Sequence, residues 1–187
     1  MFQVNPDPGA LLVQSTAIPA IPKEPFLHFY LDSETDALLP LQRSVEVLNI
    51  SRKEIVPIFF MPAWVTGIYN LKGEILWVVD LAYLLGLTSQ VQQDYTSFDL
   101  TILVLQASPQ HSTPSRDRNQ MLGCLINRLE SIEYCDLNTI QPPPTVPASK
   151  LSTFLQGYWS KPPADQIAIL DTEAIFQYLS QLDYTEI

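Results

Sequence analysis

Apolar residues come in short alternating runs separated by turn signals, a spacing that predicts strands more often than long helices. From Phe26, FLHFYL reads as a strand, DSETD as a turn and ALLPL as the returning strand. LQRSVEVLNI leaves two readings open. Leu41, Val45 and Leu48 stand at i, i+4 and i+7, as on a helix face, while SVEVLNI alternates as a strand does. An extended piece with Pro57 and Pro62 follows. In GEILWVVD, Ile75, Trp77 and Val79 share one face and Leu76 and Val78 the other, which predicts a strand covered on both sides. Asp80 then precedes LAYLL and Gly86, a cap, a short apolar helix and its stop. Farther on, FDLTILVLQ is a strand, SPQHSTPSRDRNQ a polar loop, and MLGCLINRLESIEY a strand or a pair of strands. The prolines of QPPPTVP bar it from a helix interior or a central strand. QIAIL is a strand, and DTEAIFQYLSQL a helix capped by Asp171.

These elements repeat. Gly67 leads through IYNLKGEILWVVD to Asp80 and a helix, and Gly157 leads through YWSKPPADQIAIL to Asp171 and a helix. Each stretch holds a glycine, an aromatic-rich segment, a lysine in a turn, an apolar strand and a capping aspartate. Upstream, LLPLQRSVEVL lies over LGCLINRLESI without gaps, matching Leu38 to Leu122, Leu41 to Leu125 and Val45 to Leu129. The expectation is two copies of one mostly-β unit, closing into small barrels.

Composition narrows the function classes. Apolar residues make up 47% of the 187 and charged residues 16%, enough apolar surface to build a core. Ten Lys and Arg against twenty Asp and Glu leave a formal charge of -10, which opposes nucleic acid and anionic membranes as partners. No apolar run reaches the ~20 residues needed to cross a bilayer, so direct membrane insertion is not expected. The start lacks a basic n-region and is broken by prolines, so the protein is expected to be cytoplasmic, with residues 1–24 as a tail or tether. Cys124 and Cys135 form no CxxC pair and read as two buried, reduced thiols.

Several residues look chemical. Asp80 and Asp171 invite a catalytic reading, but the repeat gives both the same helix-cap position. Gly67 and Gly73 lack the spacing of a phosphate loop, and NLKG reads as a hairpin turn with Gly73 at positive φ. His28 and His111 have no second histidine or carboxylate at ligand spacing, so no metal or cofactor is expected. No histidine stands in a signature with a Ser or Cys nucleophile, and no enzyme activity is expected. Lys72, at the tip of a turn, must face water, either as a solubilising charge or as an anchor beside Val65, Ile68 and Tyr69 on an interaction surface.

The stretch MPAWVTGIYNLKGEILWVVDLAYLLGL resembles the signature of the CheW-like domain, in which a proline, a small residue, an aromatic and a glycine precede NLRG, an apolar strand and VDL. IQPPP and FLQGYW are similar to the second half of that family. The resemblance implies a domain over residues 25–187, built from two SH3-like five-stranded barrels, roughly 25–90 and 91–187, sharing a core, with short helices including a C-terminal one. It implies a non-enzymatic adaptor that joins a methyl-accepting chemoreceptor to a CheA-type histidine kinase. Lys72 stands at the arginine of NLRG, Asn70 and Gly73 match that motif, and Val45 and Val47 fall where relatives touch receptor helices. The edges around Leu125 to Leu129 become candidates for the kinase. Lysine lacks arginine's planar fork, and Val47 replaces an acidic residue of some relatives. With the acidity and the leader, these departures point to pilus-driven motility or phototaxis. Two rival readings stand: a sensor or enzyme with a pocket lined by Trp64, Trp77 and Trp159, and a stand-alone regulator that competes for the kinase.

Overall fold

The computed structural model describes residues 23–89, 99–108, 121–145, 149–161 and 165–181. His111 and the leader up to residue 22 lie outside them. The first half runs β1 (Lys23–Tyr30), β2 (Asp36–Pro40), β3 (Ser44–Ser51), β4 (Val65–Leu71), β5 (Glu74–Asp80) and helix α1 (Leu81–Leu84). The second runs β6 (Asp99–Gln106), β7 (Met121–Ile126), β8 (Arg128–Asp136), β9 (Ile140–Gln141), β10 (Leu155–Lys161), β11 (Asp165–Leu170) and helix α2 (Thr172–Gln181). The chain is mostly β, as the alternation predicts, and β1 starts two residues inside the expected leader. The open segment is settled as one 3₁₀ turn, Leu41–Arg43, followed by strand β3.

The strands form two sheets, in the orders β8-β1-β2-β11-β10-β9 and β3-β6-β7-β5-β4. A division near residue 90 does not describe them. Each sheet takes two strands from one half of the chain and the remaining strands from the other. The chain leaves the first sheet at the Leu41–Arg43 turn and returns at Asn127, between β7 and β8. Asn127 pins that return: its backbone N–H donates to the Tyr30 carbonyl (2.9 Å) and its side-chain amide to the Asp32 carbonyl (3.1 Å).

Both sheets curl around a core of their own. Strands β3 and β4 are opposite edges of the second sheet, yet Ile50 and Leu71 from them join Leu76, Val78, Ile102 and Val104 in one cluster. In the first sheet Cys135 of β8 meets Phe26, Leu38 and Ile169, with Ile140 of β9 packed against them. A third and larger cluster lies between the sheets, with Phe29, Leu39, Val79, Leu103 and Cys124, sealed by Ile175 of α2.

The duplication appears in the ladders. β2 runs parallel to β11 with Leu38 opposite Ile169, and β7 runs parallel to β5 with Gly123 opposite Val78. Asp171 and Asp80 follow those strands two residues later, so Leu38 corresponds to Gly123. The gap-free overlay of Leu38 on Leu122 is therefore one residue out of register, a slip that turns every side chain to the opposite face. Glycine marks the same site in both copies, where the strand bulges. A Cβ on Gly67 would lie 2.3 Å from the Val56 carbonyl oxygen, and one on Gly157 would lie 2.5 Å from that of Gln141. Only glycine lets these backbones approach so closely.

Candidate functional site

The nominated residues all lie on the second sheet. Asn70, Lys72 and Gly73 are at the β4–β5 hairpin tip with Tyr69 just before it, Val65 is at the far end of β4, and Val45 and Val47 are on edge strand β3. Strands β4 and β5 pair from Val65 to Glu74, leaving Lys72 and Gly73 as a two-residue turn. Both have positive φ, 54° and 96°, the backbone of a type I′ hairpin whose twist matches that of its strands. Asn70 closes the turn, since its side-chain oxygen accepts the Gly73 amide at 2.8 Å. Asn70 and Gly73 thus shape the tip, and Lys72 is what the tip presents, its side chain 76% exposed.

Lys72 also brings together two segments nominated separately. Its Nζ lies 3.1 Å from Glu46 Oε2, on β3 between Val45 and Val47. Of the apolar residues named with it, Val45 is exposed, while Val47, Val65 and Tyr69 are half-buried. Val47 packs against the core between the sheets and Tyr69 against that of the second sheet.

Pattern reading missed the larger apolar exposure. β5 is not covered on both sides: Leu76 and Val78 are buried, but Ile75 is 72% and Trp77 38% exposed. Their face reaches the shared core only at Val79 and runs on beyond it into solvent. Phe59 and Phe60 stand out farther, with Phe60 at 90% exposure and φ 63°. Two apolar faces on a strand look the same in sequence whether one is covered or bare. On edge strand β8, Leu129, Ile132 and Tyr134 are exposed, whereas Leu125 is buried in the second sheet's core and cannot be part of that edge.

The residues that looked catalytic hold the frame. Asp80 is buried, accepts the Tyr83 amide at 3.0 Å and takes the Ser89 hydroxyl on its other oxygen. Asp171 accepts the amides of Glu173 (2.9 Å) and Ala174 (3.2 Å). Both are helix caps. Gly86 ends α1 with φ 83°, its amide donating to Tyr83 and that of Leu87 to Ala82. Cys124 and Cys135 form no disulfide and are buried in separate clusters, and burial pushes the Cys124 thiol far above its usual range. The tryptophans line no common pocket: Trp64 packs on the shared core, Trp159 on that of the first sheet, and Trp77 faces solvent. His28 does meet carboxylates, Asp36 at 2.8 Å and Glu133 at 3.9 Å, through strand pairing that spacing could not reveal. Among the described residues no three His, Cys, Asp or Glu are arranged to hold a metal ion, and no helix is long and apolar enough to cross a membrane.

A family model described as CheW-like domain matches residues 25–180. No curated protein matches the chain in sequence. Among solved structures, the crystal structure of scaffolding protein TtCheW from Thermoanaerobacter tengcongensis is similar, at 23% identity and a TM-score of 0.66. The match covers 83% of this chain and 93% of that one. At that identity the likeness is one of fold, two SH3-like subdomains.

Proposed function

Because the chain belongs to the CheW-like domain family, matched over residues 25–180, we propose that it is a non-enzymatic, cytoplasmic adaptor coupling chemoreceptors to a CheA-type histidine kinase. That match carries the reading. The fold it shares with a scaffolding protein supports it, as do aspartates that cap helices and an exposed tip beside bare apolar side chains. The adaptor acts by proximity: holding kinase and receptor together replaces a dilute encounter with a local one.

In this reading the receptor's helical hairpin meets the second sheet around Val45, Val47, Val65, Tyr69 and Lys72, with Asn70 and Gly73 fixing the angle of the tip. The kinase's own CheW-like domain takes a sheet edge. The acidic chain and the lysine in place of arginine favour a pathway of pilus-driven motility or phototaxis.

The test is recovery of partners from native lysate on wild type, Lys72→Asn and Lys72→Glu. Wild type is expected to retain a histidine kinase and a chemoreceptor. Lys72→Asn loses an exposed ion pair worth ~0.2–1 kcal/mol but suits positive φ better, so its stability should stay within about 0.5 kcal/mol of wild type. A several-fold drop in one partner for both variants would then report a lost contact. Wild type that retains neither partner would overturn the reading.

A further inference from the structure

The two copies of the unit finish one surface differently. The matched bulges at Gly67 and Gly157 align Ile68 with Tyr158, Trp77 with Ala168 and Ile75 with Gln166. Each copy adds one neighbour outside that hairpin: Val56 bridges to Ile68 as Gln141 of β9 pairs with Tyr158. In the first sheet this face is polar and tied off, Gln166 Nε2 donating to Gln141 Oε1 at 3.2 Å and Gln141 Nε2 to Ser160 Oγ at 3.5 Å. In the second it is apolar, and Val56, Ile75 and Trp77 are exposed. A face that the twin completes with glutamines does not need these side chains for folding, and exposed apolar clusters of this kind mark contact sites.

Chain direction extends the patch. Antiparallel pairing at Val56 and Ile68 carries the next residues towards the Val65 end of β4, where the Val65 amide donates to the Pro62 carbonyl at 2.8 Å. On the way stand Ile58, Phe59 and Phe60, all exposed. Phe60 holds φ 63°, a conformation that asparagine and glycine adopt more readily than a bulky aromatic. The backbone is bent at a cost to turn a ring into solvent, and strain of this kind points to a task outside the fold. With Val56, Ile75 and Trp77 these are six of the twelve large apolar residues exposed among the described residues, so half of that exposure is gathered on one surface. The six present roughly 700 Å², near the ~800 Å² that each partner of a stable complex buries. No charged residue occurs from Ile55 to Leu71, in a chain of net charge -10. The mate of this patch is therefore apolar as well, because a charged surface would lose its hydration against it with no counter-charge in return.

We propose that the patch is the contact between two copies of this chain in a twofold dimer. The aromatic pair stands at one end of the patch and Ile75, next to the hairpin tip, at the other. A twofold axis near Ile68 lays Phe59 and Phe60 of each copy over Ile75 and Trp77 of the other, so apolar side chains meet apolar mates and the same contact is made twice. Two chains of charge -10 repel at a distance, so the dimer is held by apolar burial against that repulsion and tightens as salt screens it. The patch adjoins Tyr69 and Lys72, proposed above for the receptor, but the dimer needs neither receptor nor kinase.

The test is sedimentation equilibrium of the purified full-length chain with no partner added, so its outcome is separate from that of the adaptor reading. Wild type should pass from monomer to dimer across the micromolar range, and at lower concentration as sodium chloride is raised. Phe60→Asn suits the turn, should melt no lower than wild type, and should dimerise at least tenfold more weakly. Val56→Gln with Ile75→Gln installs the residues of the twin and should weaken dimerisation as much; should that pair fail to fold, Phe60→Asn alone decides. Tyr134→Gln, on the exposed edge of β8, should leave dimerisation unchanged. A wild type that stays monomeric, a dimer that salt weakens, Phe60→Asn dimerising as wild type does, or equal weakening by Tyr134→Gln would overturn the proposal.

Discussion

Cys124 shows how a single side chain can set a pH limit. Its thiol is buried between the sheets, and desolvation holds it protonated in the folded state. In the unfolded chain the same thiol ionises above about pH 8.5. The folded state then binds more protons than the unfolded one, so this group's stabilisation is complete below that pH and is lost as pH rises above it. The loss amounts to about 1.4 kcal/mol per pH unit. Urea unfolding at pH 8 and pH 10 should show it, with a smaller drop for Cys124→Ala. Equal drops would assign the effect to other groups. Lys72 illustrates a different balance at the same scale: a residue in a backbone conformation that costs an L side chain roughly 1 kcal/mol holds an exposed charge at the hairpin tip, paired with Glu46 of β3.

At the scale of elements, each strand-to-helix junction is built on one carboxylate. Asp80 is the more demanding of the two, because it is buried and accepts both the Tyr83 amide and the Ser89 hydroxyl. Asp80→Ala should destabilise by about 2–4 kcal/mol, since donors lose their acceptor inside the protein. Asp171 caps α2 from a partly buried position, and Asp171→Ala should cost about 1 kcal/mol. Thermal unfolding of both variants measures the difference. Equal losses would mean that the Asp80 network adds nothing to its cap. The edges belong to this scale too. Both β3 and β8 leave one side unpaired and carry exposed apolar residues, Val45 on one and Ile132 and Tyr134 on the other. Unpaired edges of this kind are templates for a partner strand.

The whole molecule is a reciprocal exchange. Strands β1 and β2 sit among strands of the second half, and β6 and β7 among strands of the first. Neither half can complete a sheet alone. Residues 23–90 and 91–187, produced separately, should each be unfolded by circular dichroism, and mixing them should restore β structure. A folded single fragment would contradict the exchange. The full chain should unfold in one transition, because the shared core draws side chains from both sheets and from α2.

Most of the local plan was legible in the chain. Alternation marked the strands and Asp80 and Asp171 announced their caps, because caps are set by neighbouring residues; Gly67 and Gly157 stood out as a repeated position, and the ladders show a bulge there. The hairpin NLKG could likewise be read as a turn with Lys72 at its tip. What tertiary structure alone decided was which surfaces are covered and which strands are neighbours. The bare face of Ile75 and Trp77, the exchange of strand pairs and the meeting of His28 with Asp36 and Glu133 all depend on pairings between distant segments. Hydrophobic pattern records that a side chain prefers cover; it does not record what arrives to provide it.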